Sequence, residues 1–172
     1  MSSEAKLYPM SLSRQYFLFS WGVFAFMVAV FVGVGVLLSS IPSVPPYSLY
    51  FLYVIAPMIL CVFPAVYVAS PRALALTDTT LTVKKWMGPV ELRLTDITGA
   101  RVEELSGVIR VMGVGGFYGA WGEMKCKELD SFEGYLTRSK RYVVLERKGQ
   151  KPLVVTPNNA NDFVQDVIQR LS

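Results

Sequence analysis

The sequence predicts an α+β protein in two parts: a two-helix transmembrane hairpin, then a mainly β domain, an antiparallel barrel or sandwich of about seven strands capped by a C-terminal α-helix. Three observations predict this arrangement. The 57 residues between Arg14 and Arg72 contain no Asp, Glu, Lys or Arg and hold 13 of the 22 aromatic residues. The 101 residues from Arg72 onward carry 15 basic and 12 acidic side chains, which is typical of soluble domains. In this second part, short apolar alternations are followed by one helical apolar stripe.

The charge-free segment is long enough for two membrane spans. Residues 17–38 form an apolar run of 22 residues, which makes a helix of about 33 Å against a hydrocarbon core of roughly 30 Å. A second run at 47–69 contains Pro57 and Pro64, which membrane helices tolerate where neighbouring groups satisfy the freed carbonyls. The short, uncharged, proline-rich connector at 39–46 predicts a tight turn between the two spans.

The positions of the basic residues predict the topology. Lys6 and Arg14 precede the first run, and Arg72, Lys84 and Lys85 follow the second, whereas the connector has no positive charge. The positive-inside rule therefore places both termini in the cytoplasm and the protein in the inner (cytoplasmic) membrane. The predicted division is a cytoplasmic N-terminal segment at residues 1–15, a transmembrane hairpin at 16–70 and a cytoplasmic domain at 71–172.

A cleaved signal peptide is the rival interpretation of the first apolar run. Its 22 residues exceed the apolar core of about 7–15 residues that signal peptides have, and no small-residue cleavage site follows it. A retained anchor is therefore expected.

Small residues recur at every fourth position in the first span, at Ala25, Ala29 and Gly33. Such a ridge allows another backbone to come close. The second span of the same chain is the favoured partner because it is always nearby, and a second copy of the chain is the alternative.

Short alternating apolar segments predict the strands of the second part. Turns at residues 77–80 and 87–89 separate the first three strands, and the loop at 147–151 joins the last two as a hairpin. An antiparallel meander is therefore expected. The predicted strands lie at residues 74–76, 81–83, 90–94, 100–105, 124–128, 142–147 and 153–156.

The chain closes with a predicted helix that plugs an open end of the β structure. Asn159 is its expected N-cap, and Asp162 lies where an acidic side chain interacts favourably with the first turn. The apolar residues of this segment fall on one helical face, so that face should be buried. They are Phe163, Val164, Val167, Ile168 and Leu171.

A glycine- and aromatic-rich segment carries a family resemblance. Residues 110–124 read RVMGVGGFYGAWGEM, followed in order by GYLT at 134–137, an apolar strand at 142–145 and VTP at 155–157 before the helix. This ordered set resembles bacterial membrane-anchored pleckstrin-homology-like (PH-like) domain proteins, over roughly residues 72–171. The resemblance implies a PH-like barrel that acts as a binding or assembly module, with no enzymatic activity known for the fold type.

The glycine segment does not fit a nucleotide-binding loop. Gly113 and Gly115 match two glycines of the dinucleotide fingerprint, but Tyr118 stands where the third is required, and no P-loop sequence follows. We expect the glycines to supply positive φ angles or bulges. Phe117, Tyr118 and Trp121 are the candidate partner-binding residues, because three rings in five residues cannot all face inward from a strand. The alternative is a loop that folds back and buries all three.

Two basic clusters are candidate contacts to anionic lipid headgroups. A solvated rim of the hairpins is the alternative and the favoured interpretation. Eukaryotic PH domains that bind phosphoinositides place basic residues in and around the first hairpin, whereas the turn at 77–80 has an acid and no base, so specific phosphoinositide binding is not expected. The candidate lipid-contact residues are Lys84, Lys85, Arg138, Lys140 and Arg141.

The composition predicts neither a cofactor nor a metal site. Histidine is absent, which excludes histidine-based triads, metal sites and pH switches. Cys61 should lie in the membrane and Cys126 in the aqueous domain, so no intrachain disulfide is expected. The carboxylates lack a nucleophile and base at diagnostic spacing. The adjacent Ser139 and Lys140 leave a cryptic Ser–Lys hydrolase as a remote alternative.

The leading hypothesis is therefore a non-enzymatic module that docks or scaffolds within a membrane-associated complex or a homo-oligomer. A regulator that senses anionic headgroups at the inner leaflet is the second hypothesis, and a cryptic enzyme is the third. The expected partners are membrane lipids and either another protein or a second copy of the chain. Neither a nucleic acid nor a small-molecule substrate is predicted.

Overall fold

The computed structural model describes residues 5–41, 45, 47–85, 88–115, 118–138 and 140–171. They form two long helices, two β-sheets and a C-terminal helix. In chain order the elements are β1 (Lys6–Pro9), α1 (Arg14–Ser39), α2 (Tyr47–Ala69), β2 (Ala73–Leu76), β3 (Thr80–Lys84), β4 (Val90–Arg93), a 3-10 turn (Leu94–Asp96), β5 (Ile97–Glu103), β6 (Ile109–Gly115), β7 (Ala120–Lys125), β8 (Phe132–Leu136), β9 (Tyr142–Arg147), β10 (Leu153–Val155) and α3 (Ala160–Leu171).

The two long helices differ in how well they could cross a membrane. Among the described residues, α1 is the one helix long and apolar enough to do so, by length and composition. The apolar stretch of α2, Tyr53–Ala69, is shorter, and a span needs about 20 residues. Pro57 and Pro64 both lie inside α2. The structure thus supports one possible span and does not support the predicted second one.

The small-residue ridge of α1 does not face α2. Ala25, Ala29 and Gly33 are all exposed, and a Cβ atom placed on Gly33 would meet nothing within 4 Å. A different face of α1, which includes Val28 and Phe31, lines a groove shared with α2. The favoured interpretation of the ridge as an intrachain contact is therefore wrong.

The first sheet has four antiparallel strands in the order β1-β2-β3-β4. Its first strand comes from the chain before α1, where Tyr8 pairs with Leu74 of β2. The turn between β2 and β3 is the predicted one. The Thr77 amide donates to the Thr80 carbonyl at 2.9 Å, and the Thr80 amide donates to the Thr77 hydroxyl at 2.9 Å.

The second sheet has six strands in the order β5-β9-β10-β8-β7-β6. β9 and β10 form the predicted hairpin, but β10 pairs with β8 in parallel, so the sheet is not wholly antiparallel as predicted. The 3-10 turn after β4 interrupts the pairing between the two sheets. Two open sheets therefore replace the closed barrel that was one of the predicted alternatives.

The structure has ten strands among its described residues, compared with about seven predicted. β1, β6 and β8 have no predicted counterpart, and β7 begins before the predicted strand at 124–128. Glycines at 113 and 122 interrupt the apolar alternation from which strands are predicted, so the sequence predicts no regular strand between residues 105 and 124.

The main core lies between the two sheets and α3. A second cluster covers the opposite face of the six-stranded sheet, under the loops that follow β5 and β7. β9 contributes to both clusters, which explains its uninterrupted buried run from Tyr142 to Leu145. The fully buried members of the main core include Leu74, Leu76, Leu81, Val83, Val143, Leu145, Leu153, Val155, Phe163 and Val167.

Helix α3 completes the main core as the sequence predicts. It begins directly after Asn159, whose carbonyl accepts the amide of Phe163 at 3.1 Å. Phe163 is fully buried, and its ring lies edge-on to the ring of Tyr8 with 4.9 Å between centroids. Of the predicted stripe, Ile168 is the exception because it is half exposed.

Candidate functional site

The glycine-rich segment forms the hairpin of β6 and β7, in which Gly113 pairs with Gly122. Both glycines have positive φ angles, 124° and 125°. A Cβ atom on either would collide with a carbonyl oxygen of the opposite strand, that of Trp121 or that of Met112. The glycines therefore allow two backbones to come unusually close, and they build a hairpin, not a phosphate loop.

The end of this hairpin is fastened to both long helices through Tyr118. The Tyr118 amide donates a hydrogen bond to the Ser20 hydroxyl of α1 at 3.3 Å. Its ring lies edge-on to Tyr67 of α2, with 4.9 Å between centroids and 70° between planes. Only 5% of Tyr118 is exposed. Burial, and secondarily the neighbouring Tyr67, raises the pKa of the Tyr118 hydroxyl, which stays neutral at physiological pH.

The three aromatic residues predicted as a partner-binding surface do not form one exposed patch. Tyr118 is covered by the helices of its own chain. Trp121 is half-buried and packs against the main core. Phe117 lies outside the described residues. The aromatic side chains with a described position thus connect parts of the chain to one another.

A different apolar surface is exposed nearby, on β6. Ile109, Val111 and Met112 expose 59%, 55% and 72% of their surface. The register between β6 and β7 shifts between Arg110 and Met112, so Val111 lies at a bulge of the strand. β6 is an edge strand of the six-stranded sheet. The sequence analysis missed this surface, although the alternation of Ile109 and Val111 beside Arg110 was a signal for a strand.

Three of the five predicted lipid-contact residues come together. Arg138, Lys140 and Arg141 line one cavity of about 670 Å³ at the beginning of α1, and Arg14 lines it with them. The Arg138 Nε donates to the Ser11 carbonyl at 3.2 Å, and its guanidinium also contacts the Ser11 hydroxyl. In the sequence analysis Arg14 served only to predict topology. We call this cavity the basic pocket.

Lys84 and Lys85 do not line the basic pocket. Lys84 is exposed at the end of β3, and Lys85 is half-buried with its ammonium 5.1 Å from the centre of the Tyr135 ring. This is cation–π distance, so Lys85 has a partner inside the chain. The two predicted basic clusters are therefore separate.

Two described carboxylates, Glu128 and Glu123, have structural partners. Glu128 accepts the amide and the hydroxyl of Ser106, which lowers its pKa from the ordinary 4.5 to about 2. Glu123 pairs with Lys151 and accepts the Ser131 hydroxyl, which also lowers its pKa. Both stay ionised at neutral pH, so neither can donate a proton there. The described ranges hold no group of three potential metal-ligating residues, and Ser139 of the remote hydrolase alternative lies outside them.

A comparison with known protein families identifies the family of this chain. A family model described as "Bacterial PH domain" matches residues 72–171, more than half of the 172 residues. The chain belongs to this family of bacterial PH domains. No curated protein and no solved structure matches it.

The match confirms the PH-like resemblance over the same range in which it was recognised. In this bacterial PH domain the matched range covers β2 to α3. β1, α1 and α2 lie before it, and β1 nevertheless completes the four-stranded sheet. The Tyr118 contacts and the basic pocket both lie where the matched range meets these preceding elements.

Proposed function

We propose that this bacterial PH domain protein is a non-enzymatic docking module, held at the cytoplasmic face of the inner membrane by a two-helix anchor, where it binds a protein partner or a second copy of itself. The observation that carries the proposal is the pairing of β1 with β2. β1 precedes α1 and β2 follows α2, so these paired strands enclose the anchor in the sequence.

This pairing constrains how the chain can meet a membrane. A single crossing would leave β1 and β2 on opposite sides of the bilayer, where they could not pair. If α1 crosses the membrane, as its length and composition allow, α2 has to return the chain to the starting side. The short apolar stretch of α2 is compatible with this role, because bilayers thin locally around short spans at modest cost.

Further hydrogen bonds between the segment before α1 and the domain hold the domain in a fixed orientation. The Met10 amide donates to the Arg72 carbonyl at 2.8 Å, directly beside the paired strands. The Ser13 amide donates to the Thr137 carbonyl at 3.0 Å and so attaches the beginning of α1 to the end of β8. Together with Tyr118, these ties prevent the domain from swinging on a flexible linker. A rigidly presented surface suits a docking module, because less orientational freedom is lost on binding.

The docking surface that we propose is β6. Edge strands expose unpaired backbone groups, and proteins usually protect them with charged residues or bulges. β6 contains one charged residue, Arg110, and a bulge between Arg110 and Met112, yet its apolar side chains Ile109 and Val111 stay exposed. An exposed, apolar edge strand is suited to accept a strand from a partner, whose backbone would pair with it and whose side chains would contact the apolar ones.

The experiment compares two double variants of the tagged, full-length protein, isolated in a mild detergent. Val111→Ser with Met112→Ser removes two of the exposed apolar side chains of β6, and Ile168→Ser with Leu7→Ser removes comparably exposed apolar side chains elsewhere. Co-purifying proteins are quantified by mass spectrometry, and the size of the particle is measured by light scattering. A thermal melt controls for folding.

We expect the β6 variant to lose its partner or its self-association at least tenfold while melting like the wild type. The control variant should retain the association. If the β6 variant is folded and associates as the wild type does, docking through β6 is wrong. A larger particle without another protein would identify the partner as a second copy.

A second candidate function is favoured by a specific observation. The basic pocket gathers four cationic side chains at the beginning of α1, which suits a regulator that senses anionic headgroups at the inner leaflet. Salt separates the two functions, because attachment through exposed charges weakens as ionic strength rises, whereas apolar docking does not.

A further inference from the structure

The basic pocket has the charge balance of an anion site. Arg14, Arg138, Lys140 and Arg141 line it together, and no carboxylate is among its described lining residues. The ion pairs in the described part of the chain involve other basic residues. Gathering like charges is unfavourable unless a counter-charge joins them. An anion bound here would supply that counter-charge.

The pocket also contains suitable hydrogen-bond donors. Arg138 is held by the carbonyl and hydroxyl of Ser11, so its position does not depend on a ligand. Arg guanidinium groups match the oxygen spacing of phosphate. The first turn of α1 borders the pocket and contains no acidic residue, and Ser13 makes no side-chain capping bond there. The free backbone N–H groups of the first turn therefore add hydrogen-bond donors that, like the basic side chains, attract an anion.

A separate apolar cleft lies further along α1. Phe17, Trp21 and Phe24 follow Arg14 at spacings of three, four and three residues, which is one helical face. These three aromatic residues line a cleft of about 410 Å³ together with α2 and Tyr118. A free phosphate could use only the basic pocket. A phospholipid could place its phosphate in the pocket and an acyl chain along the aromatic cleft.

We propose that the basic pocket and the aromatic cleft together bind one anionic glycerophospholipid from the cytoplasmic leaflet, with its phosphate among Arg14, Arg138, Lys140 and Arg141. The proposal rests on the membrane anchoring proposed above, but not on docking through β6. The bound lipid would join α1 to the segment after β8, which already contacts Ser11 and Ser13 between β1 and α1. This one lipid is then a structural ligand of the junction, distinct from the bilayer lipids that surround the helices.

The test uses the full-length protein in an uncharged detergent, with phosphatidylglycerol as the probe. Native mass spectrometry measures how much phosphatidylglycerol is retained, with phosphatidylcholine and inorganic phosphate as separate arms. The variant is Lys140→Gln with Arg141→Gln, which leaves the Arg138–Ser11 contact intact. The matched control is Lys84→Gln with Lys148→Gln, which removes the same charge from exposed positions outside the pocket.

Each basic residue near an anionic group contributes about fivefold in affinity. We therefore expect the pocket variant to bind phosphatidylglycerol about 25-fold more weakly, and the control variant to bind it within about twofold of the wild type. Phosphatidylcholine should be retained poorly, and inorganic phosphate should not displace phosphatidylglycerol because it lacks the chain that fills the cleft.

Equal retention of phosphatidylglycerol by the wild type and a folded pocket variant would overturn the proposal. Displacement by inorganic phosphate would assign the pocket to free anions and overturn the phospholipid assignment. Replacing Trp21 with Ser provides a second measurement, because it should weaken the binding of phosphatidylglycerol while leaving the basic side chains in place. A failure of docking through β6 would appear only in the association assay, so the two proposals fail separately.

Discussion

The ring of Tyr118 lies edge-on to the ring of Tyr67, with 4.9 Å between their centroids. Tyr118 belongs to the end of the β6–β7 hairpin and Tyr67 to the last turns of α2. This pair therefore joins the part of the chain that belongs to the PH family to the part that precedes it. Edge-to-face pairs contribute about 0.5–1.5 kcal/mol beyond the area they bury, so the contact is strong enough to order a hairpin but not to hold the domain alone.

Replacing Tyr118 with Ala should loosen the hairpin without unfolding the domain. A two-stranded hairpin is marginally stable by itself, and Tyr118 supplies the tertiary contact at its end. We expect amides of β6 to exchange at least tenfold faster in hydrogen-exchange mass spectrometry, while amides of β9 stay protected. Tyr118 has a φ of 56°, which is strained for a residue other than glycine. Tyr118→Phe keeps both this backbone conformation and the ring, so it should exchange like the wild type. Unchanged exchange in the Ala variant would show that Tyr118 does not secure the hairpin.

Replacing Gly122 with Ala should destabilise the protein by about 3 kcal/mol or more, since a strained positive φ costs roughly 1–3 kcal/mol before any clash is added. The added methyl would meet the Met112 carbonyl oxygen of the opposite strand. Gly99 in β5 is the matched control, because its φ is not positive and an added Cβ would lie 3.6 Å from the nearest atom, a Glu146 carboxylate oxygen. Thermal melts of both variants in detergent measure the difference. Similar melting of the two would mean that the glycine pair is not a close crossing.

Much of the PH fold could be predicted from the sequence, because its strands and α3 carry regular apolar periodicity. β9, β10 and the buried face of α3 lie where that periodicity placed them. β1 could not be found in this way, since four residues before a long apolar helix carry too little pattern to show a strand. β6 is not predicted because the glycines that allow β6 and β7 to approach closely interrupt the apolar alternation.

The candidate site was predictable in its charges but not in its aromatic residues. Arg138, Lys140 and Arg141 are close in sequence, so proximity alone grouped them. Arg14 joins them because the chain just before α1 lies beside the residues after β8, where the Ser13 amide donates to the Thr137 carbonyl, a long-range contact that no local pattern reveals. Tyr118 was expected on the open surface, since alternation along a strand cannot anticipate that helices from an earlier segment cover the end of a hairpin.

Acid titration should distinguish Glu128 from ordinary surface carboxylates. Its hydrogen bonds from Ser106 lower its pKa to about 2 in the folded protein. Because the folded pKa lies below the unfolded one, the associated stability is present above about pH 4.5 and is lost as the pH falls towards 2. The carboxylate is exposed, so the effect on stability is small. Carboxyl NMR should show Glu128 ionised at pH 3, and Ser106→Ala should raise its pKa, whereas Ser131→Ala should not.

Single cysteines test the proposed topology. Burial raises the pKa of Cys126, which makes its thiol slow to react at neutral pH and a poor reporter. In a cysteine-free background, Ser43→Cys should react with a membrane-impermeant thiol reagent in intact spheroplasts, and Lys148→Cys should react only after lysis. Labelling of position 148 in intact spheroplasts, or of neither position before lysis, would contradict a hairpin with both termini in the cytoplasm.

The contact between Tyr8 and Phe163 makes β1 part of the folding unit even though it lies before the matched family range. Both residues are buried, and their rings are 4.9 Å apart. Truncating Phe163 to Ala should cost about 3–5 kcal/mol, as for other buried aromatic residues, and Tyr8→Ala should destabilise the same core from the strand side. The double variant should lose less than the sum by about 0.5–1.5 kcal/mol, since the ring contact is removed only once. Strict additivity in thermal melts of the four proteins would mean that the two rings do not stabilise each other. A Tyr8→Ala variant that melts like the wild type would mean that β1 does not contribute to the core, and its pairing with β2 would then lose its weight as support for the proposed anchor.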